Sequence, residues 1–205
     1  FVYDKEIPKD LVDYIIKRLG FDPSDTISPG TRYHNFKDFM GFPNLGDKHL
    51  VYEPAPPVIH PDIKKHESII QLILNKDIML HYPYQKFDHF IDFLREASMD
   101  PKVKSIFITI YRVAKNSKVM NALINAARNG KKVIVVMELQ ARFDEESNIY
   151  WSKKLEQVGA NVLFGIKGLK IHCKLVLINR EENKKVQKIA VISTGNFHEK
   201  NAEVY

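Results

Sequence analysis

A chain of 205 residues with 44% hydrophobic and 27% charged residues has the composition of a globular protein, long enough for one large or two small cores, which excludes disorder throughout. The 31 Lys and Arg against 25 Asp and Glu leave a formal charge of +6, which fits a polyanionic partner without distinguishing nucleic acid, phospholipid or polyphosphate. A single cysteine, Cys173, excludes an internal disulfide and leaves a cytosolic setting as the default. No apolar run reaches the roughly 20 residues that span a bilayer, and the early acids and Pro8 do not suit a secretory signal. The chain begins at Phe1 rather than Met and stops at Tyr205, and so reads as an excised fragment.

In chain order, Pro8 followed by Leu11, Val12, Ile15, Ile16 and Leu19 predicts a short amphipathic helix with Gly20 as its stop. Asp22-Pro23-Ser24-Asp25 and Ser28-Pro29-Gly30 read as turns, and Tyr33 to Met40 as a further short helix. Pro54, Pro56 and Pro57 stiffen an extended segment that is neither helix nor central strand, so a domain boundary is placed there, with units at 1–58 and 59–205. Beyond it the pattern alternates: strand 77–81, helix 87–97, strand 105–111, helix 118–128, strand 132–138, helix 148–158 and strand 161–164. Strands 170–178 and 186–193 follow, around a polar turn at 179–185. Such alternation predicts an α/β layer architecture, a largely parallel sheet covered by helices, with ligands gathered beyond the carboxyl ends of the strands.

The strongest chemical signal is Ile171-His172-Cys173-Lys174 in an apolar strand, followed at the end of the next strand by Ser193-Thr194-Gly195-Asn196. Side chains two apart on a strand share a face, so His172 and Lys174 are expected to project together and Cys173 the other way. A neutral imidazole attacks phosphorus, and a neighbouring ammonium holds a phosphoryl oxygen. Asn196 has an amide for His172 or for a phosphoryl oxygen. An isolated His-x-Lys is more often a satisfied core histidine with a snorkelling lysine; two basic groups on one face of a buried strand call for a partner, and an anion supplies one.

Arg112 and Arg142 each follow an apolar strand, where guanidinium groups grip phosphate by paired hydrogen bonds. A surface salt bridge is the rival reading for Arg142, beside Asp144, Glu145 and Glu146. Those acids are read as a dipole-compensating helix start rather than as magnesium ligands. Lys115, Lys167 and Lys170 add charge near the proposed site, although each alone reads as a solvated lysine. Trp151 and Tyr150 read as helix packing, and the remaining histidines show no spacing for zinc.

The pattern His-x-Lys, four residues, then a downstream Gly-Asn resembles the half-site of the phospholipase D superfamily, with Asn179 standing where that superfamily usually has Asp. Ile106 to Lys115, Glu138 to Glu146, Gly168 to His172 and Thr194 to Phe197 together resemble polyphosphate kinases of the phosphohistidine type, a likeness running from about Ile59 to Tyr205. The resemblance implies a phospholipase D-like mixed sheet flanked by helices, preceded by the end of a head domain that is small, partial and helical or irregular. It implies an ATP:polyphosphate phosphotransferase in which His172, Lys174 and Asn196 are catalytic, Arg112 and Arg142 hold phosphate in a magnesium-phosphate site, and Tyr205 contacts the nucleotide. It further implies ATP/ADP and Mg2+, inorganic polyphosphate as partner with no nucleic acid, and a homo-oligomeric full-length enzyme. A cytoplasmic setting follows, compatible with peripheral attachment at the inner membrane. The family carries a second His motif in a further domain, so the isolated chain is expected to be inactive alone. Two other readings stay open on the residues themselves: a phospholipase D-like nuclease or phosphodiesterase, and a noncatalytic polyanion-binding module.

Overall fold

The computed structural model describes residues 1–22, 24–30, 46, 48–53, 55–64, 67–138, 145–165 and 168–204. The helix expected at Tyr33 to Met40 lies outside the described residues. The chain divides into two compact units, Phe1–Pro54 and Ala55–Tyr205. In the first, strands β1 (Val2–Asp4) and β2 (Ser28–Gly30) pair in parallel, and helix α1 spans Lys9–Leu19. Pro8 precedes α1 and Gly20, at φ 69°, ends it in the left-handed conformation that a Cβ disfavours.

The second unit carries helix α2 (Ile69–Asn75), helix α3 (Asp88–Met99), strand β3 (Val103–Ile110), helix α4 (Lys118–Arg128), strand β4 (Lys132–Met137), helix α5 (Glu145–Gln157) and strand β5 (Asn161–Phe164), then strands β6 (Lys174–Glu182) and β7 (Lys185–Ser193). The five strands form one sheet in the order β5-β4-β3-β6-β7. The expectation of a largely parallel sheet holds for β3, β4 and β5, whereas β6 and β7 run antiparallel, so the sheet is mixed. The reason is connectivity: α4 and α5 return the chain to start each parallel strand, while β6 and β7 join through a tight hairpin. Its tip, Asn183 and Lys184, has φ of 52° and 62°, the backbone that a two-residue hairpin turn demands.

The predicted strand at 77–81 is not formed. Those residues run as coil after α2, a helix the sequence reading did not contain, with Met79 largely exposed. The core alternates by strand periodicity: Ile106, Ile108 and Ile110 are buried with Val133, Val135, Met137, Val176 and Ile178, and Phe90, Ile91, Phe93 and Leu94 of α3 pack into it. Ser117 caps α4 by accepting the Met120 amide at 3.2 Å. Glu145 and Glu146 occupy the first turn of α5, as the dipole reading expects; Asp144 lies outside the described residues. Trp151 is buried, with its indole N–H donating to the Ala114 carbonyl at 3.0 Å, while Tyr150 is half exposed.

Candidate active site

The carboxyl ends of β3, β4 and β7 and the start of antiparallel β6 meet at one edge of the sheet, where α/β proteins present ligand groups. β6 begins at Lys174, so His172 sits in the irregular approach to the strand rather than within it. The shared-face argument from strand alternation is therefore corrected: His172 is exposed and Lys174 is buried, 6% accessible. The two still meet, because the Lys174 side chain reaches back to residue 172. Lys174 Nζ donates to the His172 carbonyl at 2.6 Å and lies 3.2 Å from both Nδ1 and Nε2 of the ring.

Side chains replace the missing ladder. The Thr109 hydroxyl donates to the Cys173 carbonyl at 2.7 Å and accepts the Leu175 amide at 2.9 Å, gripping the backbone on both sides of Lys174. The buried Glu138 carboxylate accepts the Ile171 amide at 3.0 Å. Asn148 of α5 donates to the Tyr111 carbonyl at 3.1 Å and to the Glu138 carbonyl at 2.7 Å, tying the ends of β3 and β4 together.

Tyr111 is the geometric centre of the cationic groups. Its ring meets the His172 ring edge-on, with centroids 5.1 Å apart and planes at 75°. Lys170 Nζ lies 5.4 Å, Lys174 Nζ 5.6 Å and Arg112 Cζ 5.8 Å from its centroid. Three cations and an exposed imidazole thus gather around one aromatic ring, an arrangement suited to an anion.

On the neighbouring strand, Ser193 stands opposite Lys174, and its hydroxyl donates to the Gly195 carbonyl at 2.9 Å. Asn196 follows, half-buried, with its Oδ1 lacking a hydrogen-bond partner among the described residues. Phe197 anchors this turn by stacking on Phe90 at 4.7 Å. Glu199 accepts the Lys118 amide at 2.6 Å and the Ser117 hydroxyl at 3.1 Å, fixing the turn to the start of α4.

The family model for polyphosphate kinase C-terminal domain 1 matches residues 68–205. The chain belongs to the polyphosphate kinase family. Polyphosphate kinase of Vibrio vulnificus (strain YJ016) is 51% identical over 205 residues, covering 100% of this chain and 29% of its own length. That of Escherichia coli (strain K12) is 50% identical over 207 residues, covering 100% of this chain and 30% of its own. The crystal structure of polyphosphate kinase from Porphyromonas gingivalis superposes with a TM-score of 0.78 at 34% identity, over 96% of this chain and 30% of that one. The chain thus spans under a third of the length of the curated polyphosphate kinases it matches.

Of the residues singled out in the sequence of this polyphosphate kinase family member, the structure brings together His172, Lys174, Arg112 and Lys170. Arg142, Tyr205 and Lys167 lie outside the described residues, and Lys115 is exposed. Asn179 lies five residues along β6 from Lys174, about 17 Å away and on the other face. It donates to the Ser105 hydroxyl at 2.8 Å, so the departure from the phospholipase D pattern falls outside the cationic cluster.

The described side chains do not fit a protein-held magnesium ion. Arg112 offers only N–H donors, and no group of three His, Cys, Asp or Glu able to hold a metal occurs among the described residues. No helix among them is long and apolar enough to cross a membrane.

Tyr111, Thr109, Glu138 and Asn148 were not singled out from the sequence. Tyr111 and Glu138 had a readable signal, being polar-headed residues directly after apolar strands. Thr109 and Asn148 had none, because their partners lie 64 and 37 residues away.

Proposed function

We propose that His172 takes the γ-phosphoryl group of ATP and passes it to inorganic polyphosphate, the reversible ATP:polyphosphate phosphotransferase reaction. The observation that carries this reading is an exposed imidazole with an ammonium 3.2 Å from its nitrogens, beside a tyrosine ring that two further cations also approach. A ring nitrogen bonds to the γ-phosphorus as the bridging oxygen bond breaks and ADP leaves. The terminal oxygen of polyphosphate then displaces the imidazole, and the P–N bond breaks. Dividing the displacement into two steps lowers each barrier.

Lys174, Arg112 and Lys170 neutralise charge on the equatorial oxygens, where catalysis of phosphoryl transfer chiefly resides. The unpartnered Oδ1 of Asn196 is an acceptor, so it suits the N–H of the non-attacking imidazole nitrogen rather than a phosphate oxygen. Family resemblance assigns Arg142 to the phosphates and Tyr205 to the adenine. Magnesium enters as a partner of the phosphates, and no step is assigned to it. Residues 1–58 are read as the end of the head domain and 59–205 as the first catalytic domain of a cytoplasmic, homo-oligomeric enzyme, a setting compatible with peripheral attachment at the inner membrane, with a second half-site elsewhere in the full-length chain.

The test is γ-labelled ATP with the full-length enzyme. Acid-labile, base-stable label on His172, absent from His172→Ala, is expected. Label that survives His172→Ala unchanged overturns the assignment, and polyphosphate binding with no label in either protein returns the chain to a polyanion-binding module.

A further inference from the structure

We propose that Tyr111 is a positioning residue for the transfer, acting through its aromatic ring rather than its hydroxyl. The inference rests on the reading of His172 as the phosphorylated group. Arg112, Lys170 and Lys174 all lie within 5.8 Å of the ring centroid, and the His172 ring stands edge-on to it at 5.1 Å. Like charges gathered this closely repel before any phosphate arrives. The negative face of a phenol ring offsets that repulsion without donating to, or competing for, the incoming phosphoryl oxygens.

The ring can serve as a fixed reference because its own backbone is pinned. Asn148 holds the Tyr111 carbonyl at 3.1 Å, and Tyr111 directly follows β3 at the centre of the sheet. The imidazole and the Lys174 ammonium both lie close to this ring, so the ring constrains the direction from which the nucleophile meets phosphorus. Misplacement of a reacting group by an ångström or so costs on the order of a hundredfold in rate. The cations themselves remain when the ring is removed. Losing the ring therefore disturbs orientation more than phosphate affinity, a loss in kcat rather than in KM.

The experiment compares Tyr111→Leu, Tyr111→Met and Tyr111→Phe in the full-length enzyme, each measured for phosphohistidine formation from γ-labelled ATP across ATP concentrations. The two nonaromatic variants are expected to lose roughly tenfold or more in the labelling rate with KM for ATP within about threefold, while Tyr111→Phe stays within about twofold of the unaltered enzyme. Unaltered labelling in either nonaromatic variant overturns the proposal, as does a Tyr111→Phe loss as large as theirs, which would give the role to the hydroxyl. A rise in KM at constant kcat overturns it as well. If the unaltered enzyme places no label on His172, the underlying histidine reading fails; normal label there with normal label in Tyr111→Leu removes only the role of the ring.

Discussion

The Glu138 carboxylate accepts the Ile171 amide at 3.0 Å, one residue before the histidine, so a buried side chain at the end of β4 sets where the approach to β6 begins. Removing the acceptor leaves a buried N–H unsatisfied, a cost of about 1–3 kcal/mol. Glu138→Ala is expected to lower the thermal midpoint and to reduce phosphohistidine formation, whereas Glu138→Gln, which keeps an acceptor oxygen, recovers most of both. Equal labelling by the alanine variant and the unaltered enzyme would show that the Ile171 anchor does not reach the histidine.

Thr109 grips the chain on both sides of Lys174 with one hydroxyl. Thr109→Val preserves shape and deletes both hydrogen bonds, at about 0.5–1.5 kcal/mol each. Chemical denaturation should show that loss, and amide exchange at Leu175 should quicken. Thr109→Ser should restore both. An unchanged exchange rate in Thr109→Val would mean the strand entry is held by something else.

At the opposite end of β6, the Arg180 guanidinium, 2% accessible, donates to Asp100 at 2.8 Å and to Glu182 and Gln187 at 2.6 Å each. Burial pushes the Asp100 carboxyl up, but the hydrogen bonds from Arg180 and the Lys102 amide, with the charges of Arg180 and Lys131, outweigh it and hold Asp100 below its ordinary 3.8. Hydrogen bonds from Lys102 and Arg180 hold Glu182 down to about 2. Both folded values lie below the unfolded ones, so this stability is complete above about pH 4.5 and drains away as the pH falls through the folded values. Arg180→Met is expected to cost on the order of 2 kcal/mol at pH 7, since it takes the charged donor from the part-buried Asp100. The gap between variant and parent in urea midpoint should narrow towards pH 2. A gap of constant size would assign the loss to packing alone.

His89 takes up its proton at a lower pH than an ordinary histidine. Burial lowers it below the ordinary 6.5, the charge of His60 adds to the effect, and its Nε2 accepts the His60 amide at 3.0 Å, a role open only to a nitrogen without a proton. The folded value lies below the unfolded one, so the contribution is complete above pH 6.5 and is lost as the pH falls through the folded value. Melting temperatures measured between pH 7.5 and pH 5 should fall. His89→Gln, which keeps an acceptor near the Nε2 position and does not titrate, should flatten that fall; a slope unchanged by the substitution would trace it to another group.

Local chemistry was the legible part of this fold. Helix α4 falls at 118–128, as expected, because Ser117 supplies its cap and Asn129-Gly130 its exit within the sequence itself. The strand β5 at 161–164 and the proximity of His172, Lys174 and Arg112 were readable for the same reason: apolar periodicity and charged residues just beyond strands. Helix α2 was not, since Ile69 to Leu74 is nearly uniform in polarity and its first amides are accepted by Glu96, at 2.8 Å from Ile69 and 3.2 Å from Ile70. The apolar run at 77–81 imitated a strand although it has no pairing partner among the described residues. The largest misreading concerned His172 itself. Alternation carried the strand back to Lys170, but Thr109 and Glu138 had taken over the hydrogen bonds that a ladder would have made, and that substitution leaves no trace in periodicity.

The hairpin between β6 and β7 has a bearing on the chemistry despite the distance of its tip. Nine successive pairings run from Glu182 opposite Lys185 to Lys174 opposite Ser193, so the two residues at the turn count out which part of the returning chain arrives beside the lysine. One residue added at Asn183-Lys184, some 30 Å from the histidine, would slide the whole returning strand by a step and present its other face. Asn196 would then be delivered to the wrong place, and the alignment of the groups proposed to handle phosphate would be undone by an edit made at the far rim of the sheet.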